Sequence, residues 1–381
     1  VYDEASDLLF LRIKGLRQAM KVEWSGSVDG NWDVSQSSNW LKEGLDDVFV
    51  SGDSVYFTSS GINRSITIND SLLVGHMDIN SGLNYTFGGS GVLSGPMKLS
   101  ISGGCTVDIT NRNSFSGSTT VDNSHLIMKY APSTTSNGGI GTSNSSLTSL
   151  VLKDSASLTV TTASEICNRG LTLVGSKGGI INQSNTLYWY GAIAGTSLTK
   201  VGTGALHLSG RNTGLSQTVL KEGSIKLASS DAVFAGVGNK VTLVGGTLDA
   251  HAAETDYLTS QFAIDVPRGA SATFIAPPRC EINGALTGSG TLNWVCDYLR
   301  ASINGDWSGF IGTVNVTPNS AYDNISSSNV LIMNNSAGMP QGTLHLTSGI
   351  TLCYRNNWEN NGTTTIKLGM LTGTSGATFF N

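Results

Sequence analysis

The sequence predicts an all-β chain wound as a right-handed parallel β-helix, and three observations predict it. Short runs that alternate apolar and polar residues follow one another, with almost no helical periodicity between them. Most of these runs are closed by Gly, Asn, Asp or Ser, the residues that tight turns demand. One composite pattern is written three times along the chain, as in a stacked array.

Taken in order, residues 1–23 read as a linker or the tail of an upstream domain. Within them, residues 13–22 are the clearest helical stretch, too short to define a fold. Residues 24–381 read as one domain, because composition never shifts as it does between separately folding units. Strand signals include Ser54-Val-Tyr-Phe-Thr58, Ser65-Ile-Thr-Ile-Asn69, Leu150-Val-Leu-Lys153, Leu171-Thr-Leu-Val174 and Lys240-Val-Thr-Leu-Val244.

The repeated pattern covers about 88–130, 191–228 and 284–317. Its first copy opens on Gly91-Val-Leu-Ser-Gly95, its second on Gly191-Ala-Ile-Ala-Gly195 and its third on Gly284-Ala-Leu-Thr-Gly288. In the second copy Gly204-Ala-Leu-His-Leu-Ser-Gly210 follows, then Asn212, Thr218-Val-Leu220 and Gly223-Ser-Ile-Lys-Leu227. Alternate aliphatic residues point to one face of such a strand, and glycine lets the backbone turn sharply at its end. A single coil cannot bury that face, whereas stacked coils pair strand on strand and share one core. With about 20 to 30 residues in a rung, roughly a dozen to 18 rungs follow.

Composition narrows the function. Only 13% of residues are charged, 47 are glycine and the formal net charge is -5. Lys and Arg form no stripe able to track phosphates, so no nucleic-acid partner is expected. Apolar runs such as Leu8 to Leu11 are far too short for a membrane-spanning helix, and no membrane span is expected within the chain. The chain starts at Val1 without a charged-then-apolar leader and reads as a fragment of a larger parent protein with other domains. Cys105, Cys167, Cys280, Cys296 and Cys353 show neither CxxC nor zinc spacing; they read as small buried hydrophobes, and no metal or other cofactor is expected.

Leu198 to Leu227, with its Leu-Thr-Lys-x-Gly-x-Gly-x-Leu-x-Leu-x-Gly, Asn, Thr-Val and Gly-x-Ile-x-Leu, resembles the autotransporter-associated β-strand repeat, also called the passenger-associated transport repeat. The family's usual aromatic is replaced here by Leu215. The opening Trp24-Ser-Gly26, Gly30-Asn-Trp-Asp33, Asn39-Trp40 and Asp47-Val-Phe-Val-Ser-Gly52 is similar to the segment that often begins such arrays. The resemblance implies a pectin-lyase-like β-helix displayed outside a bacterial cell, as an adhesin, a spacer or a neighbour of carbohydrate-active modules. It implies no single ligand.

The residues themselves allow three functional classes. A noncatalytic surface stalk or adhesin, contacting glycans or a host surface, is the leading expectation. A polysaccharide lyase or glycoside hydrolase needs carboxylates gathered on adjacent rungs. The acids Asp29, Asp33, Asp46, Asp47 and Asp53 sit instead in turn-like contexts. His76, His125, His207, His251 and His345 are isolated, and no nucleophile elbow or phosphate loop stands out.

A glycan-binding module appended to an enzyme is the third class, and exposed aromatics would mark it, because sugar rings stack on them. The candidates are Tyr188, Trp189 and Tyr190, of which either the tyrosines or the tryptophan face outward, and Trp294, Tyr298 and Trp307, with Tyr354 and Trp358 behind them. Trp24, Trp32 and Trp40 read rather as a plug over the end of the core. Asn113, Asn212 and Asn304 occupy matching points of the three copies and read as structural.

Overall fold

Alternation decides where each residue of this chain goes. Ser54–Phe57 buries Val55 and Phe57, His76–Asn80 buries Met77 and Ile79, and Lys98–Ser102 buries Leu99 and Ile101, while their neighbours face out. Parallel pairing then stacks like on like: Met77 lies on Val55 and Leu99 on Met77. Repeated along the chain, this gives a β-solenoid of about 12 turns, all-β, with no helix among the described residues. The computed structural model describes residues 2–3, 8–9, 17–212, 214–227, 239–250, 259–276, 280–296, 299–319, 329–354 and 365–380.

The first coils have two long faces and a short third one. Lys21–Trp24 begins one face and Asn31–Trp32 the next, and Ser71–Leu73 under Val92–Ser94 starts the third. Lys21, Val22 and Glu23 pair in register with Ser54, Val55 and Tyr56, so the first strand of the stack starts at Lys21. Of the helical stretch considered at 13–22, the part that is described is extended from Lys21 on. Further along, Ile193–Val201 is long enough to lie across two faces at once, its first residues on Leu171–Val174 and its last on Gly179–Asn182. That strand merges two faces into one 21-stranded sheet. No helix among the described residues is long and apolar enough to cross a membrane.

The three sequence copies fold as three corners that share a pair of glycines. Gly91, Gly191 and Gly284 each press on the coil beneath, where a Cβ would overlap the carbonyl of Asp70, Arg169 or Phe262. The second glycine of each copy, Gly95, Gly195 and Gly288, has φ of +93°, +121° and +102°, a region L side chains rarely enter. Asn113 accepts from Leu93 N (2.9 Å) and Asn212 from Ile193 N (3.1 Å), the middle residue of the glycine pattern in each case. Asn304 does something different. It donates to Asn283 Oδ1 and accepts from Asn334 Nδ2, both at 2.8 Å, forming a side-chain ladder across three coils.

Aromatic side chains close the N-terminal end. The strands Trp40–Lys42 and Leu45–Asp47 form an antiparallel hairpin that returns onto Lys21–Trp24. Trp40 meets Trp24 at 5.0 Å and Trp32 at 5.2 Å between ring centroids, and Phe57 joins them to Phe87 beneath at 5.1 Å. All three tryptophans are buried, as a plug over the core requires. The acids nearby tie the turns: Asp29 accepts from Asn31 N and Asn39 Nδ2, Asp33 from Ser37, and buried Asp53 is gripped by both terminal nitrogens of Arg17. Removing the ring in Trp40→Ala destabilises the protein by about 3–5 kcal/mol. Because each coil touches only its neighbours, hydrogen exchange then rises first in the N-terminal coils; uniform exchange along the chain contradicts this account.

The lysine of the central repeat has a clear role. Lys200 shares parity with Leu198 and is fully buried. Its ammonium donates to Val201 O (2.7 Å), Gly202 O (2.6 Å) and, at 3.4 Å, to Gln183 O and Glu222 O, so it touches the coils before and after its own. Burial lowers its pKa to about 8 from an ordinary 10.5, against the opposing pull of the Glu222 charge. Below about pH 8 both the folded and unfolded chains hold this proton and the cost of burying it is constant. Between about pH 8 and 10.5 the folded chain gives it up first, so stability rises with pH across that window. Urea midpoints followed through it rise for the parent relative to Lys200→Met, and equal slopes for the two contradict the assignment.

Candidate functional site

One coil departs from the plain corner. Between His125–Met128 and Leu150–Lys153 the chain leaves the stack in an excursion rich in Ser, Thr, Asn and Gly. Composition of this kind turns rather than pairs, and the excursion folds on itself through Ser133 N to Ser136 O (2.8 Å) and a bridge between Gly138 and Gly141. Buried Ala131 and Ile140 anchor it to the core, and Thr142 N donates to Phe115 O (3.0 Å) of the coil below.

Arg169 fixes the base of the excursion. Its side chain is fully buried, and its guanidinium donates to Ile140 O (2.6 Å), Ser149 O (2.7 Å) and Thr142 O (3.0 Å), with longer contacts to Gly117 O. Every acceptor is a backbone carbonyl. Burial draws its pKa down to about 10, so it stays a cation at neutral pH. Charge-assisted bonds from one planar donor to three points of the same loop leave that loop little freedom.

Above this base lies an open cleft of about 560 Å³ lined by Thr134, Ser143, Asn144, Ser145, Asn168, Tyr190, Gly191, Ala192 and Arg211. No acidic residue is among them. Asn144 Oδ1 accepts from Ser146 N and Asn168 Oδ1 from Thr134 N, so each amide is held by its oxygen, and its NH₂ has no protein partner among the described residues. Tyr190 and Arg211 are exposed at the rim.

The aromatic candidates divide sharply. In the strand Leu187–Trp189 the tryptophan is buried with Leu187, while Tyr188 faces out and Tyr190 just beyond is 47% exposed. Trp294 and Trp307 are buried too, 5.5 Å apart, with Phe274 at 4.8 Å from Trp294. The expectation that Trp189, Trp294 and Trp307 bind a glycan is therefore corrected: a ring closed inside the core presents no face to a ligand. Shared parity with Leu187 and with Leu292 was the signal for the first two. Tyr188 packs its ring edge on His207 at 4.5 Å, in an outward column that continues through Lys226 and Asp249. Tyr298 and Trp358 lie outside the described residues, and only the backbone of Tyr354 is described, in the strand Ile350–Tyr354.

Other reactive groups are spread apart. Cys105, Cys167, Cys280 and Cys296 are buried and Cys353 is half-buried, none of them in a disulfide; burial pushes the Cys167 thiol up to about 12, which keeps it protonated. His345 bonds Thr372 and His125 bonds Thr159 Oγ1 (2.9 Å); burial lowers the His125 pKa against the opposing charge of Asp108. His251 lies outside the described residues. Among the described residues no three of His, Cys, Asp and Glu come close enough together to hold a metal ion.

No family model, curated protein or solved structure matches the chain. The cleft itself supplies a direct test of its construction. Arg169→Met takes the donor from Ile140 O and Thr142 O and one of two donors from Ser149 O, which keeps Thr119 N, and destabilises the protein by about 3 kcal/mol. Amide exchange accelerates most in residues 138–149, and protection unchanged there contradicts the tether.

Proposed function

We propose that this chain is a noncatalytic β-helical module of an extracellular bacterial protein, acting as a surface stalk or adhesin. The observation that carries the reading is the unbroken core: inward rows of aliphatic and aromatic side chains run through about 12 turns with one end plugged. Parallel strands spaced about 4.8 Å apart make such a stack on the order of 60 Å long. An element of this shape holds whatever it is joined to at a fixed distance from its anchor, without moving parts.

Two further features support the reading. Outward positions carry mostly Ser, Thr, Asn and Gly, with 13% charged residues in the chain as a whole, a surface suited to neutral, hydroxyl-rich partners. The repeat around Leu198 to Leu227, with Lys200 and Asn212 performing definite corner roles, keeps the resemblance to the passenger-associated transport repeat as the basis for an extracellular, cell-surface location. In the same reading, other domains of a larger parent protein flank the module.

Small-angle scattering of the isolated chain, with a glycan array and an assay for new reducing or unsaturated ends on the same polysaccharides, tests the proposal. A rod of the stated length that binds without cleaving is the expected result. A compact particle, or cleavage of any polysaccharide, overturns it.

A further inference from the structure

We propose that the cleft between the Tyr130 to Ser149 excursion and Tyr190 binds an acidic pyranose, its ring against Tyr190 and its carboxylate or sulfate on Arg211. The inference deepens the adhesin reading above and rests on it for the class of partner.

Each wall of the cleft contributes a different requirement of sugar recognition. Tyr190 provides the apolar face. Among the described residues it and Phe379 are the only aromatic side chains in the set of exposed large hydrophobics, and Phe379 is on the last coil, far along the chain. An exposed phenol beside a hydroxyl-rich groove suits the C–H face of a pyranose, which stacks on a ring as an aliphatic group does.

Directional bonding comes from the amides and hydroxyls of the same lining. The NH₂ groups of Asn144 and Asn168 and the hydroxyls of Ser143, Ser145 and Thr134 have no protein partner among the described residues, yet both amides are already oriented through their oxygens. Sugar hydroxyls accept from the former and exchange donor and acceptor roles with the latter.

Charge selects among sugars. Arg211 is exposed and forms no ion pair among the described residues, although Arg17, Lys153, Lys226 and Lys240 all meet a carboxylate. With no acid in the lining, the cleft favours an anionic ligand, and the planar guanidinium matches a carboxylate or sulfate in two parallel bonds.

Preorganisation completes the argument. Arg169 holds the excursion from beneath, and Gly170 and Gly191 allow backbone contacts that a Cβ would block, against Ser145 and Ser146 in one case and Arg169 in the other. The volume of about 560 Å³ falls in the range of small-molecule sites.

The test uses the whole chain titrated with methyl β-D-glucuronide, glucose 6-sulfate and methyl β-D-glucoside, followed by saturation-transfer NMR and calorimetry. At least one acidic sugar binds about tenfold more tightly than the glucoside, and which acid wins identifies the anionic group. Tyr190→Ala abolishes binding of all three, and Arg211→Gln reduces the preference to within about twofold; both substitutions are at exposed positions and leave the melting temperature unchanged. Equal binding of acidic and neutral sugars, a preference that survives Arg211→Gln, or no binding at all overturns the proposal. Failure of the cleft with no polysaccharide cleaved leaves the stalk reading standing, whereas cleavage with the acid preference intact overturns the noncatalytic reading and keeps the cleft.

Discussion

A coil of short strands exposes a row of aliphatic side chains on its inner side and has nothing of its own large enough to cover them. Everything else in the structure follows from answering that row with the next one. Val55, Met77 and Leu99 are stacked in register, and so are Leu152 and Leu173, because a slip of one residue would put a polar neighbour against the core. The same requirement accounts for the N-terminal hairpin. Among the described residues no coil precedes the first one, and Trp24, Trp32 and Trp40 supply from one short segment the apolar area that such a coil would give.

The second demand is polar. Each corner takes backbone groups out of the strand ladders and brings them toward the core, where an unpaired amide or carbonyl is costly. Asn113 and Asn212 meet this demand with side-chain oxygens, Gln183 with an amide that exchanges two bonds with Val160 as a strand would, and Lys200 and Arg169 with cations surrounded by carbonyls. Buried cations without a carboxylate partner are unusual. Here the partial charges of several carbonyls stand where an acid would, and the geometry is set by the corner itself.

These two demands differ in how plainly the chain displays them. The apolar rows are written with a period of two and were legible from the order of residues, as were the aromatic plug, the buried cysteines and the outward histidines at 207 and 345. The faces of Trp189 and Trp294 are legible through their parity with Leu187 and Leu292, whereas a short alternating run of aromatics such as Tyr188-Trp-Tyr190 by itself allows either face. Arg169 and the cleft were not legible at all. Thr134 and Asn144 share one excursion, but Asn168, Tyr190 and Arg211 each come from a later coil, and only the stacking brings them together. Periodicity describes what repeats, whereas a site built on one irregular corner has no repeat to give it away.

The excursion after Met128 leaves the stack beneath and above it undisturbed: Leu152 still lies on Val121, and Val160 on Met128, as though the corner were short. In this architecture the residues that specify the rod and the residues that decorate it are thus separable. A corner is an address at which sequence can lengthen or change without altering the register of any coil, while one residue added inside a strand would turn its apolar row outward. Novelty in such a protein is expected to accumulate at corners, and a family built this way would keep its interior while its members diverge in what they hold.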